Sequence, residues 1–70
     1  MSKKLSLGVE TLGLKSRTLN CLRHGGIRTV GDLVLMNEWD LLAVRGFGDM
    51  SVYDVKMALK KLGLSLHQKT

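Results

Sequence analysis

Val44-Arg45-Gly46-Phe47-Gly48-Asp49-Met50-Ser51 is the stretch on which the rest of this 70-residue protein turns. Two glycines flank one aromatic, and directly afterwards Val52, Val55, Leu59 and Leu62 recur at helical spacing. A short helical pattern ends upstream near Ala43, so the stretch reads as a tight hairpin between two helices. Gly46 and Gly48 are both expected to be free to take φ > 0 or to let another molecule approach the backbone. Phe47, between them, is expected to plug the core. The helix that follows begins with unpaired N–H groups, and such a tip can hold a phosphate. A helix-hairpin-helix grips a nucleic-acid backbone in this way. A hairpin that merely connects two helices fits as well, and these eight residues leave both readings open.

Moving towards the N-terminus, two short helices carry polar starts. Asn37-Glu38-Trp39-Asp40 and Thr29-Val30-Gly31-Asp32 each place an Asp three residues after a capping side chain, a variant of the capping box. They predict helices running to about Ala43 and about Leu35. Gly25-Gly26 ends an earlier helix over about 17–24, with one glycine as a left-handed cap and Ser16 as N-cap. Glu10–Leu14 reads as an irregular lead-in that lays Leu12 and Leu14 on the core. On the other side of the hairpin a last helix is expected from about Met50 to Leu62, stopped by Gly63, with Leu64 and Leu66 folding back. The expected core is Leu12, Leu14, Leu19, Leu22, Ile27, Val30, Leu33, Leu41, Leu42, Val44, Phe47, Val52, Val55, Leu59, Leu62 and Leu64. Residues 1–9 read as a polar, flexible linker, 10–66 as the domain and 67–70 as a fraying tail. The fold class is all-α: a bundle of four short helices around a helix-hairpin-helix-like element.

Composition narrows the function. One cysteine, Cys21, rules out an internal disulfide and suits a reducing, cytoplasmic setting. No apolar run is long enough to span a membrane. The net charge of +5 is uneven. Lys3, Lys4, Lys15, Arg17, Arg23 and Arg28 face only Glu10 in the first part, whereas Asp32, Glu38, Asp40, Asp49 and Asp54 outnumber Arg45 in the middle. One surface therefore suits a polyanion and another something else. Cys21 and His24 lie three apart on one helix but have no further partners at metal-ligand or nucleophile spacing. No catalytic residues, metal site or cofactor are expected. Arg17 and Asn20 project to one side of the first helix. Arg can enter a narrow A·T-rich minor groove, and Asn can bond phosphate or base edges. Both serve equally as ordinary exposed helix residues, and the residues alone do not decide.

Leu14-Lys15-Ser16-Arg17-Thr18-Leu19-Asn20-Cys21-Leu22, Gly26-Ile27-Arg28-Thr29-Val30-Gly31-Asp32-Leu33, Leu41-Leu42, Gly46-Phe47-Gly48-Asp49-Met50-Ser51 and Gly63-Leu64-Ser65-Leu66 are specific in order and spacing. They resemble the C-terminal domain of the bacterial RNA polymerase alpha subunit, from about Glu10 to Leu66. The resemblance implies a non-catalytic module of the polymerase, itself a nucleotidyltransferase, in the cytoplasm at the bacterial nucleoid. It implies binding to the minor groove of A·T-rich upstream promoter DNA, contact with transcription activators and sigma factor, and attachment to the other polymerase subunits. By position it implies Arg17 as the central minor-groove residue, with Lys15, Asn20, Cys21, Gly48 and Ser51 as further DNA contacts. It makes Asp54 the acid that orients the arginine, and Glu38, Trp39 and Asp40 a regulator-facing surface. Two acids around one aromatic would suit a basic regulator.

The sequence departs from the family's pattern in two places. Met50 stands where the family usually has a DNA-contacting lysine, with Asp49 before it. Gly13, with Thr11 before it, stands where acids meeting sigma are common. Two other classes compete: a protein-interaction module with weakened DNA binding, and a generic helix-hairpin-helix domain that binds DNA without regard to sequence.

Overall fold

Thr29 and Asn37 each open a helix with the same reciprocal pair of hydrogen bonds. In the computed structural model, which describes residues 3–67, the Thr29 hydroxyl accepts the Asp32 N–H at 3.1 Å, while the Asp32 carboxylate accepts the Thr29 N–H at 3.2 Å. The Asn37 side chain accepts the Asp40 N–H at 2.9 Å, and the Asp40 carboxylate accepts the Asn37 N–H at 3.1 Å. These boxes satisfy backbone donors that a helix start leaves unpaired. They fix α2 (Val30–Val34) and α3 (Glu38–Leu42), each too short to persist without them.

Before them comes α1 (Ser16–His24), and after them α4 (Asp49–Lys61). Two single turns of 3-10 helix, Lys3–Ser6 and Val9–Leu12, lead in, and a lone antiparallel bridge joins Gly8 to Thr29. The described residues contain no strand, and none of their helices is long and apolar enough to cross a membrane. The all-α expectation holds, with ends shifted by a residue. Ser16 is not the cap of α1 but its first residue; the N-cap is Lys15, which makes no side-chain cap bond. Likewise α4 starts at Asp49 behind an N-cap of Gly48 and ends before Leu62.

Apolar side chains from every helix meet in one core, in which Leu22, Leu33, Leu41, Leu59, Val9, Val30 and Val55 are fully buried. Phe47 is buried among them, as expected. Leu42 is not: it is 37 % exposed, because one turn and a half of α3 can turn only Leu41 fully inward. Val9, within the expected linker, and Leu66, outside the expected core, are both buried. The lead-in is held to the rest by main-chain bonds, Val9 N–H to the Arg28 carbonyl at 2.9 Å and Val30 N–H to the Leu7 carbonyl at 2.8 Å. Lys4 Nζ donates to the Leu62 carbonyl at the end of α4. Of the expected tail, His67 N–H bonds the Met36 carbonyl. Met1, Ser2 and 68–70 lie outside the described residues.

The N–H groups of Arg28 and Thr29, then the Thr29 hydroxyl, hold the Asp32 carboxyl below its ordinary value of 3.8. A value lowered on folding adds stability above the unfolded value, and that share is lost as pH falls through the folded value. The difference in thermal midpoint between the wild type and Asp32→Asn is therefore expected to be full at neutral pH. It should close as pH falls below 3.8; a gap unchanged across that range would contradict the role given to the carboxylate.

Candidate nucleic-acid interface

The start of α1 and the bend before α4 form the two walls of one cleft of about 480 Å³. Lys15, Arg17 and Thr18 come from α1 and its cap, and Gly46 to Ser51 from the bend and the first turn of α4. Four of the residues singled out in the sequence, Lys15, Arg17, Gly48 and Ser51, are thus brought together from opposite halves of the molecule. Arg17 is exposed, so its guanidinium is turned to solvent and not inward against the leucines.

What holds the two walls in register is a carboxylate from the middle of α4. Asp54 Oδ2 accepts the backbone N–H of Lys15 at 3.1 Å. Lys15 has no side-chain acceptor for the helix it caps, so the acid on the neighbouring helix takes over half of a capping box. Asp54 makes no ion pair with Arg17 among the described residues. It fixes the turn from which Arg17 projects, not the guanidinium itself.

The bend is set by Gly46 and Phe47. Gly46 has φ +84, in the left-handed region, and a Cβ there would also lie 3.2 Å from Cys21 Sγ. Gly48 differs from expectation: at φ −125 and ψ −174 it is extended, a conformation open to any residue. What Gly48 contributes is space, since no atom lies within 4 Å of where its Cβ would be. The opening of α4 behind it has no side-chain cap, so its first N–H groups lack that partner, and its first residues line the cleft.

Electrostatically the walls differ. Lys15 and Arg17 make the α1 side cationic, while Asp49 and the 73 % exposed Met50 make the α4 side acidic and apolar. Asp49 does not cap α4 through its side chain; it sits one residue inside, and its charge offsets the positive end of the helix dipole. Ser51 lines the cleft but is only 8 % exposed. Asn20 is exposed but does not line the cleft, and Cys21 is half-buried under the bend. Thr18, a lining residue that the sequence pattern does not single out, is 2 % exposed. Nothing in the spacing marks it, because its burial depends on the opposite wall of the cleft, which is distant in sequence.

A second cleft, of about 500 Å³, lies between α3, α4 and the returning Leu64–His67 segment. Glu38 and Trp39 line it, and Glu38 forms an ion pair with Lys56 of α4. Trp39 is 72 % exposed, so it is not a core residue. Asp40 is exposed but does not line this cleft, its carboxylate being used on Asn37.

Sequence comparison identifies relatives across nearly the whole length. The profile of the family described as the C-terminal domain of the alpha subunit of bacterial RNA polymerase matches residues 1–61. A DNA-directed RNA polymerase subunit alpha of Acidothermus cellulolyticus is 47% identical over 66 residues, 94% of this protein and 19% of that relative. The subunit of Cutibacterium acnes is 49% identical over 65 residues, 93% of this protein and 19% of the relative. That of Leifsonia xyli subsp. xyli is 46% identical over 66, covering 94% and 20%. The 70 residues span about a fifth of the length of these relatives.

Gly46→Ala is expected to lower stability by about 1–2 kcal/mol, the cost of a left-handed alanine. Urea unfolding measures it, and Cys21→Ala should recover only the smaller part due to contact with sulfur. No loss in Gly46→Ala would show that the bend does not require its positive φ.

Proposed function

Because this protein belongs to the family of C-terminal domains of bacterial RNA polymerase alpha subunits, we propose that it acts in transcription, tethering polymerase to A·T-rich upstream DNA through the α1–α4 cleft. The observation that carries this reading is the convergence of Lys15, Arg17, Gly48 and Ser51 on one open cleft. A guanidinium is broad, weakly hydrated and permanently charged, and it suits the narrow A·T minor groove where negative potential is concentrated. Lys15 serves the flanking phosphate as a point charge. The open space at Gly48 lets a sugar-phosphate strand approach the backbone, and Ser51 offers a hydroxyl at the same strand. Asn20, one turn along from Arg17, extends the contact beyond the cleft, while half-buried Cys21 contributes by supporting the bend.

Asp49 and Met50 make this a weaker grip on phosphate than a lysine at that turn would give. The loss falls on the strand facing α4, so affinity rests more on Arg17 and less on counterion release. The domain itself performs no chemistry; nucleotidyl transfer belongs to the rest of the polymerase, in the bacterial cytoplasm at the nucleoid.

A second surface receives regulators. Trp39 stands exposed beside Glu38 at the α3–α4 cleft, with Asp40 close by in sequence, a combination that suits a basic activator surface. Contact with sigma at the lead-in is reduced to Glu10, since Thr11 and Gly13 carry no charge.

Binding to a labelled A·T-rich duplex tests the first surface. Arg17→Ala should weaken it at least about tenfold, and backbone amide shifts in the wild type should cluster at the start of α1 and the bend. Undiminished binding, or equal affinity for G·C-rich duplex, would favour the generic helix-hairpin-helix reading. Met50→Lys should tighten binding and steepen the slope of log affinity against log salt by about one. An unchanged slope would place Met50 away from phosphate.

A further inference from the structure

A third cleft, of about 580 Å³, opens on the lead-in and shares no residue with the other two. Its lining comes from the lead-in, including Gly8 and Glu10, from Arg23 in the last turn of α1, and from Arg28 and Thr29 before α2. The main chain under both arginines is fixed. The Arg28 carbonyl accepts the Val9 N–H at 2.9 Å, and the Arg28 N–H donates to Asp32 Oδ2 at 3.2 Å. The Arg23 carbonyl accepts the Gly26 N–H at 3.0 Å. Both arginines are exposed, and neither guanidinium is in a salt bridge: among the described residues only Lys56 and Glu38 form one. Glu10 shares the cleft without pairing to either, its carboxylate folded back over Gly8 in the space that a Cβ there would take. A base in the last turn of a helix suits the helix dipole, so Arg23 alone decides nothing. Two planar guanidiniums and a carboxylate in one cleft, none of them in a salt bridge, are more specific.

We propose that this cleft binds an acidic polypeptide segment, with Arg23 and Arg28 holding its carboxylates and Glu10 accepting one of its backbone N–H groups. A guanidinium meets a carboxylate through two parallel N–H···O bonds. Both arginines stand on main chain that is already ordered, so only side-chain freedom is lost on binding. Glu10 decides between an acidic protein and DNA. The sugar-phosphate backbone of DNA offers acceptors only, so it would leave Glu10 unpaired and bring a phosphate against it. A polypeptide offers carboxylates to the arginines and N–H donors to the acid. Position separates the two sites as well: from Arg17 to Arg23, α1 rises about 9 Å and turns about 120° away. Binding here requires no ligand in the α1–α4 cleft.

A short blocked peptide of Asp, Glu and Gly, titrated into the 70-residue protein at low salt and followed by backbone amide shifts, tests this. Melting curves confirm that each variant is folded. Saturable shifts are expected at Gly8, Glu10, Arg23 and Arg28, and none from a control peptide with Asn and Gln in place of the acids. Arg23→Glu and Arg28→Glu should each weaken binding by about fivefold or more. Together they should turn the preference towards a peptide with Lys in place of the acids. Arg17→Ala should leave peptide binding unchanged, which separates this cleft from the DNA site. Glu10→Ala should not tighten it, although a like charge is removed. Shifts confined to the start of α1 and the bend, or binding undiminished in both arginine variants, would overturn the proposal. So would an A·T-rich duplex that shifts Arg23 and Arg28 as strongly as the start of α1, or a tighter complex with Glu10→Ala, since either makes a phosphate strand the better ligand.

Discussion

One hydrogen bond between distant segments sets the geometry on which the cleft depends. Three helices of this domain start in the same way, with a carboxylate accepting the N–H of the N-cap residue: Asp32 for Thr29, Asp40 for Asn37 and Asp54 for Lys15. In α2 and α3 the acid belongs to the helix it caps. In α1 it comes from α4, 39 positions away, and so it does two things at once. It satisfies a donor that Lys15 cannot satisfy locally, and it fixes how the first turn of α1 lies against α4. Arg17 projects from that turn. The acid thus governs where the guanidinium stands without touching it.

The opposite wall is held by conformation instead of charge. Gly46 takes a φ that side chains avoid, and Phe47 anchors the bend into the core immediately afterwards. Cys21 fills the space beneath, where a Cβ on Gly46 would crowd its sulfur. A bend constrained from both sides delivers the N-terminus of α4 to a defined place. On the cleft surface two cations oppose one exposed acid, and at physiological salt such charges act over only about 8 Å. The cationic α1 wall therefore dominates its own side while Asp49 dominates the tip of α4. A polyanion entering the cleft is drawn to one wall and held less by the other.

What was legible in the sequence follows from the range of the interactions. The capping boxes at Thr29 and Asn37 are local, each closed within one turn, and can be read directly. The spacing of Val52, Val55 and Leu59 is likewise a property of one segment. The burial of Val9 was not legible, because its cause is a pair of main-chain bonds that tie the lead-in to Arg28 and Val30. The return of Leu64 and Leu66 after Gly63 was expected, but how deeply Leu66 enters the core was not. Leu42 differs for another reason: being next to an inward residue is no guide in a helix of 5 residues, where a single position can point to the core. Convergence of the α1 start with the bend agrees with the sequence, but Asp54 holds a backbone N–H and not the guanidinium. A carboxylate that accepts a distant backbone N–H leaves no pattern in sequence. The resemblance to known relatives could point to Asp54, and only the fold says what it holds.

α4 reaches both the α1–α4 and the α3–α4 cleft. Met50 and Ser51 stand at one cleft, Lys56 and Lys60 at the other, and the same helix supplies the buried face that joins them. From Asp49 to Lys60 the rise is about 16 Å, roughly two screening lengths at physiological salt. Charges at the two clefts therefore exert little direct electrostatic pull on each other. What the two clefts share is the rigid helix that forms a wall of each. In so small a domain this separation lets each surface change its charges without weakening the other. Asp49 and Met50 alter the first cleft and leave the pairing of Glu38 with Lys56 intact. The core residues of α4 hold both surfaces in fixed relation, and substitutions there would disturb both together.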